Sequence, residues 1–178
     1  MLIVVCALPL GAGLFCFPRN FGPADGNANQ NKAALVMDAT LQIIRELTTL
    51  GDSLMWIVGP GDMVSENYSR GIQEPLVHGM YVTIRAHNWL FHLEPETVSG
   101  IQFVETYGDL RSYYLCFLDH HGETLLRAYL PRPLPGAGDS ATPAENTRFE
   151  EMRARYANAE GVSSVRREVR SSHALETP

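Results

Sequence analysis

Leu47–Val58 reads LTTLGDSLMWIV, and the character of the chain changes inside it. Before Gly51, the apolar residues Val36, Met37, Leu41, Ile44 and Leu47 recur at intervals of three and four, the spacing of one helix face. This predicts a helix over Ala33 to Leu50, with Gly51 placed to end it. After Gly51 come short β-type runs divided by turn residues: SLMWIV (53–58), DMVSENY (62–68), GMYVTIR (79–85), NWLFHLE (88–94), SGIQFVE (99–105), RSYYLCFLD (111–119) and ETLLRAYLP (123–131). Runs so closely spaced leave no room for crossover helices, so neighbouring strands are expected to be mainly antiparallel, in a meander or something near it. The fold class is therefore α+β, an antiparallel sheet with flanking helices.

Two turns are well signalled, Tyr107-Gly108-Asp109 and Asp119-His120-His121-Gly122, and the second should close a hairpin between the last two runs. Pro131, Pro133 and Pro135 end the sheet, and Gly136 to Pro143 reads as a surface loop. Arg148 to Tyr156 puts Phe149, Met152 and Tyr156 on one side, as a short docked helix would. Beyond Gly161 the sequence is polar and reads as a flexible tail. At the other end, Phe21 to Asn31 (FGPADGNANQN) reads as a linker. The expected organisation is an apolar N-terminal segment and linker over 1–32, one folded domain over 33–160, and a tail over 161–178.

Met1 to Phe17 carries no charge and lacks the basic residues that precede the apolar part of an export signal. The run is shorter than the roughly 20 apolar residues a membrane span needs, and Pro9, Gly11 and Gly13 interrupt it, so no integral membrane span is expected. A misread start, an unusual export signal and a segment packed on the domain stay open.

A length of 178 residues suits one domain with a full core, and 45% apolar with 19% charged residues is the balance of a globular protein. The net charge of −6 argues against nucleic acid as a partner, because phosphate binding needs concentrated Lys and Arg. Lys32 is the only lysine, and arginines supply the other positive charges, a bias that base composition alone can produce. Cys6, Cys16 and Cys116 form no zinc-type spacing, and Cys116 reads as a small buried hydrophobe within a strand. No nucleophile, Walker or dinucleotide motif is present.

The densest chemistry lies in Val77 to Leu93, VHGMYVTIRAHNWLFHL, which holds three of the six histidines with Tyr81, Arg85, Trp89 and Phe91. A turn over Arg85 to Asn88 would bring the strand ending near His92 beside the one that follows His78, at roughly 5 Å per strand step. Imidazole is a common iron ligand, aromatic and aliphatic side chains suit a porphyrin face, and arginine can pair with propionates. On spacing alone, however, His78 and His87 also read as loop residues and His92 as a hydrogen-bonded strand residue. Asp119, His120 and His121 are explained by the turn, and Glu94 and Glu96 around Pro95 by a loop.

Taken in order, LGDSLMWIV, HGMYVTI, NWLFHLEPETVSGIQFVE and LRSYYLCFLDHHGETLLRAYLPR resemble the repeating half of HemS-type haem proteins and the single-unit ChuX/HutX haem-utilisation proteins. Leu50-Gly51-Asp52 echoes the family's Trp-Gly-Asp or Trp-Gly-Glu step, His78-Gly79-Met80-Tyr81 its His-Gly-Tyr-Phe-Asn segment, and Phe91-His92-Leu93 its His-containing strand. Ile101 to Glu105, Tyr113 to Leu118, Asp119 to Gly122 and Tyr129 to Arg132 echo the later strands and turn. The resemblance implies haem b bound in a cleft beside the sheet and a possible homodimer. It implies His78 and His92 as haem-contacting metal ligands, Tyr81 as pocket wall and Arg132 as propionate partner. Val58-Gly59-Pro60 stands where some members have a further histidine, and the family's helical N-terminal region is replaced by the apolar run. The function implied is a cytoplasmic haem-binding protein for trafficking or storage. The alternatives are an enzyme that opens the porphyrin ring and an interaction protein that keeps the fold without haem.

Overall fold

The computed structural model describes residues 26–59, 64–108, 111–130 and 143–169. Helix α1 spans Gly26–Thr49. Its buried stripe is Val36, Ala39, Thr40, Ile43, Ile44, Leu47 and Thr48, at the three- and four-residue steps of one face. Each fully buried aliphatic side chain there contributes about 1.5–3 kcal/mol. Met37 and Leu41, placed on that stripe by the sequence, lie at its margin. The buried Thr40 hydroxyl is satisfied by donating to the Val36 carbonyl at 2.8 Å. Gly51 takes a left-handed φ of +68°, as a residue just past a helix must where the chain reverses, and a one-turn helix Gly51–Ser53 follows.

The α1 helix begins earlier than the sequence suggests: Gly26 to Asn31, read as linker, forms its first turns. Gly and Asn have low helix propensity, and the packed turns that follow outweigh it.

Nine strands follow among the described residues: β1 (Met55–Val58), β2 (Ser65–Tyr68), β3 (Leu76–His78), β4 (Tyr81–Arg85), β5 (Leu90–Leu93), β6 (Gly100–Gly108), β7 (Ser112–Leu118), β8 (Thr124–Tyr129) and β9 (Val162–Val169). Helix α2, Pro143–Tyr156, lies between β8 and β9. The strands form two sheets rather than one meander. The larger has the order β2-β1-β8-β7-β6-β9 and the smaller β3-β4-β5. All pairings are antiparallel except β6 with β9.

β9 corrects the reading of 162–169 as tail. Its apolar residues Val162, Val165 and Val169 do not alternate, so no strand period is visible. It pairs in parallel with β6 from Ile101↔Val162 to Gly108↔Val169, held by backbone hydrogen bonds at a sheet edge where most of its side chains face solvent. β3 likewise has no strand signal in the sequence, because it is three residues long and exposed throughout.

The main core lies among the helices and the inner faces of both sheets, and a small second cluster of Val104, Tyr114 and Cys116 lies on the other face of the large sheet. Trp56, Phe103, Leu115 and Ala128 from the large sheet meet Val82, Ile84, Phe91 and Leu93 from the small one, together with the α1 stripe and Phe149 of α2. Phe149 packs edge-on against Phe103 at 5.7 Å and tilted against Tyr113 at 5.0 Å. Three backbone-directed bonds fix the small sheet's position: Gln73 N–H to Arg85 O at 2.9 Å, His87 N–H to Arg70 O at 3.0 Å, and Gly71 N–H to Asp52 Oδ1 at 2.8 Å.

Candidate functional site

Strand alternation sorts the small sheet into two faces. Val82, Ile84, Phe91 and Leu93 point into the core. The registers His78↔Tyr81 and Leu76↔Thr83↔His92, with Arg85↔Leu90, put Leu76, His78, Tyr81, Thr83, Arg85, Leu90 and His92 on the other face. Leu76, Tyr81 and Leu90 are exposed at 62%, 37% and 40%, unusual for side chains of that size and type.

This outer face brings together three of the four site residues expected from the sequence. The Tyr81 and His92 rings meet edge-on with centroids 6.2 Å apart. His92 Nδ1 lies 2.8 Å from Thr83 Oγ1, its directly opposed neighbour on β4. His78 is exposed on β3, beside Tyr81. It lies in the strand paired with β4 rather than in a loop before it, because Gly79 at φ +58° allows a tight reversal after it. Arg132 lies outside the described residues.

His78 and His92 share a face but not a close contact. β4 stands between their strands, so their backbones are roughly 10 Å apart. Both imidazoles project from the same side of one sheet.

Arg85, named in the sequence among the residues of the Val77 to Leu93 segment, ends β4 on the outer face, exposed, where it can meet a carboxylate. Thr83 carries no signal in the sequence, and only its register against His92 gives it a role.

The remaining candidates separate from this site. His87 is exposed in the β4–β5 connection and is held through its backbone. Asp119 Oδ1 accepts from the N–H groups of His121 at 2.8 Å and Glu123 at 2.9 Å, so the Asp-His-His-Gly segment is a side-chain-stabilised turn. The backbone N–H of Glu123, ahead of that of His121, holds the Asp119 carboxyl below its usual range. Glu94 and Glu96 flank a one-turn helix at Pro95–Thr97. Cys116 is buried at 2% exposure with its thiol 3.3 Å from Thr124 Oγ1. No group of three or more His, Cys, Asp or Glu side chains that could hold a metal ion exists among the described residues. The outer face fits an iron porphyrin in its donor set: an imidazole, apolar Leu76 and Leu90, an aromatic ring and an exposed arginine.

The architecture defines a class first: an α+β protein in which a small three-stranded sheet, histidine-bearing on its open face, is docked beside a larger mixed sheet. The family model for haem utilisation ChuX/HutX matches residues 34–152, and the chain belongs to that family. Among solved structures, the fold is similar to that of the heme-binding protein ChuX, at 14% identity and a TM-score of 0.54, covering 66% of this chain and 72% of that one. A protein from Agrobacterium tumefaciens gives 20% identity and a TM-score of 0.57, over 67% and 68% of the two chains. ChuS, an Escherichia coli heme oxygenase, gives 18% identity and a TM-score of 0.50 over 67% of this chain and 34% of that one. At such identities these structures establish the shared fold. No curated protein matches the chain. No described helix is long and apolar enough to cross a membrane.

Proposed function

We propose that this protein binds haem on the outer face of β3-β4-β5 and carries or stores it in the cytoplasm during haem utilisation. The observation that carries the reading is the convergence of His78, Tyr81 and His92 on one open face, in a chain of a haem-utilisation family. His92 would hold the iron, Tyr81, Leu76 and Leu90 would offer the porphyrin an apolar lining, His78 would stand on the same face, and Arg85 or Arg132 would pair with the propionates. Haem b is the form proposed, since it binds through a protein ligand without a covalent link. Exposed Val77 on edge strand β3 and Met80 in the turn after it favour a homodimer that shelters this apolar edge.

The test is a hemin titration followed by visible spectroscopy. A Soret band at one hemin per chain is expected, weakened at least tenfold in affinity by His92→Ala and less by His78→Ala. Unchanged spectra and affinities in both variants would sink the reading. Ring opening under reductant and oxygen, giving a bilin-like product, would instead indicate the activity named for ChuS.

A further inference from the structure

The polar contact that stands out on the outer face is the one between Thr83 and His92. We propose that Thr83 is a positioning residue for His92, accepting a hydrogen bond from its Nδ1–H so that the Nε2 lone pair is presented outward to a ligand's metal. The proposal rests on the haem-ligand reading of His92.

The geometry carries it in three steps. First, Thr83 and His92 are directly opposed on β4 and β5, with the hydroxyl 2.8 Å from Nδ1, so the backbone register itself fixes the imidazole's near nitrogen. Second, Thr83 is buried at 9% exposure between Leu76 and His92 in one cross-strand row, while His92 is only partly buried. The hydroxyl therefore sits on the sheet side of the ring and leaves Nε2 on the open side. Third, a neutral imidazole has one N–H, and the nitrogen that ligates a metal must lack it. A hydroxyl that accepts from Nδ1–H selects the ligating tautomer, whereas one that donates to Nδ1 leaves a proton on Nε2 and blocks ligation. Metal-ligating histidines generally donate their second N–H to such an outer partner, and losing the partner typically costs 10–100-fold in metal affinity. Valine at 83 matches threonine in shape and strand preference and removes only the hydroxyl's hydrogen bonding.

The test uses the full chain with hemin as the probe, together with nitrogen-15 NMR of the His92 ring in hemin-free protein at mildly alkaline pH. The wild-type ring is expected with its proton on Nδ1. Thr83→Val should remove that preference and weaken hemin binding about tenfold or more, and Thr83→Ser should restore both. Circular dichroism confirms that each variant is folded. A proton on Nε2 in the wild type, or a Thr83→Val protein with unchanged tautomer and hemin affinity, overturns the proposal. If His92→Ala binds hemin as the wild type does, the ligand reading of His92 fails. The role of Thr83 in haem binding then falls with it, even where the hemin-free spectra show the hydrogen bond.

Discussion

Trp89 Nε1–H donates to the carbonyl of Tyr68 at 2.7 Å while its indole stacks on Phe91, with centroids 5.4 Å apart and planes within 9°. Tyr68 ends β2 of the large sheet, and Trp89 leads into β5 of the small one. The contact thus fixes the face carrying His92 relative to the rest of the domain. Phe91 continues the contact inward by meeting Trp56 edge-on at 5.7 Å.

Trp89→Phe keeps most of the stack but loses the hydrogen bond, and is expected to cost about 1 kcal/mol. Trp89→Ala loses both and is expected to cost about 2–3 kcal/mol, at the low end for an aromatic truncation because the indole is only partly buried. Urea denaturation measures both values. Hydrogen exchange should show protection falling first in β3 to β5, and equal loss across β6 to β8 would contradict the anchoring role.

Gly161 has φ +74°, and a Cβ built there would lie 2.7 Å from Val36 Cγ2 and 3.3 Å from the Ser99 carbonyl oxygen. Gly161 O also accepts from Ile101 N–H at 2.9 Å, at the start of the β6–β9 pairing. Gly161→Ala is therefore expected to destabilise by about 2 kcal/mol or more, from left-handed strain together with the clash. In the double variant with Val36→Ala the clash is relieved and the backbone strain remains. The combined loss should thus be smaller than the sum of the two single losses. Thermal or urea unfolding of the four proteins of this cycle tests it, and strict additivity would show that Val36 does not crowd the site.

Asp119 is predicted to matter for the β7–β8 turn and not for haem. Its carboxylate accepts two backbone N–H groups, so Asp119→Ala should lower stability at neutral pH. A depressed carboxyl contributes stability above its ordinary value of 3.8 and loses it as pH falls through the folded value. The gap between wild type and Asp119→Ala should close in acid. Hemin affinity should be unchanged, which a titration of the variant checks directly.

Much of the fold could be read from the sequence because its strands announce themselves by composition: SYYLCFL and TLLRAY became β7 and β8 almost residue for residue. What stayed hidden is held by relationships between distant segments. β9 depends on backbone pairing to β6 rather than on an apolar period of its own, and β1 lies beside β8, far along the chain. The same division runs through the site. His78, Tyr81 and His92 are recognisable by residue type and by likeness to a family. Thr83 gains a role only once the register sets it on the face that holds the histidines. Residue type alone does not reveal that placement.

The last prediction concerns the α1–α2 contact, where Tyr156 Oη–H donates to Glu46 Oε2 at 2.9 Å and Arg155 pairs with the other carboxylate oxygen. Burial, then the hydrogen bond to the Glu46 carboxylate, pushes the Tyr156 phenol up to about 12 from an ordinary 10.0. A raised acid group stabilises the fold in full below its unfolded value and loses that contribution as pH rises through the folded one. The window is therefore between pH 10 and about 12. Ultraviolet titration of wild type against Tyr156→Phe should reveal a phenol that ionises near the top of that window. At neutral pH, Tyr156→Phe should cost about 1 kcal/mol, because Arg155 remains to pair Glu46 and only the phenol's bond is lost. The stability difference between the two proteins should then shrink as pH climbs from 10 toward 12. A difference that stays constant across that range would mean that the phenol does not depend on Glu46 for its place in the fold.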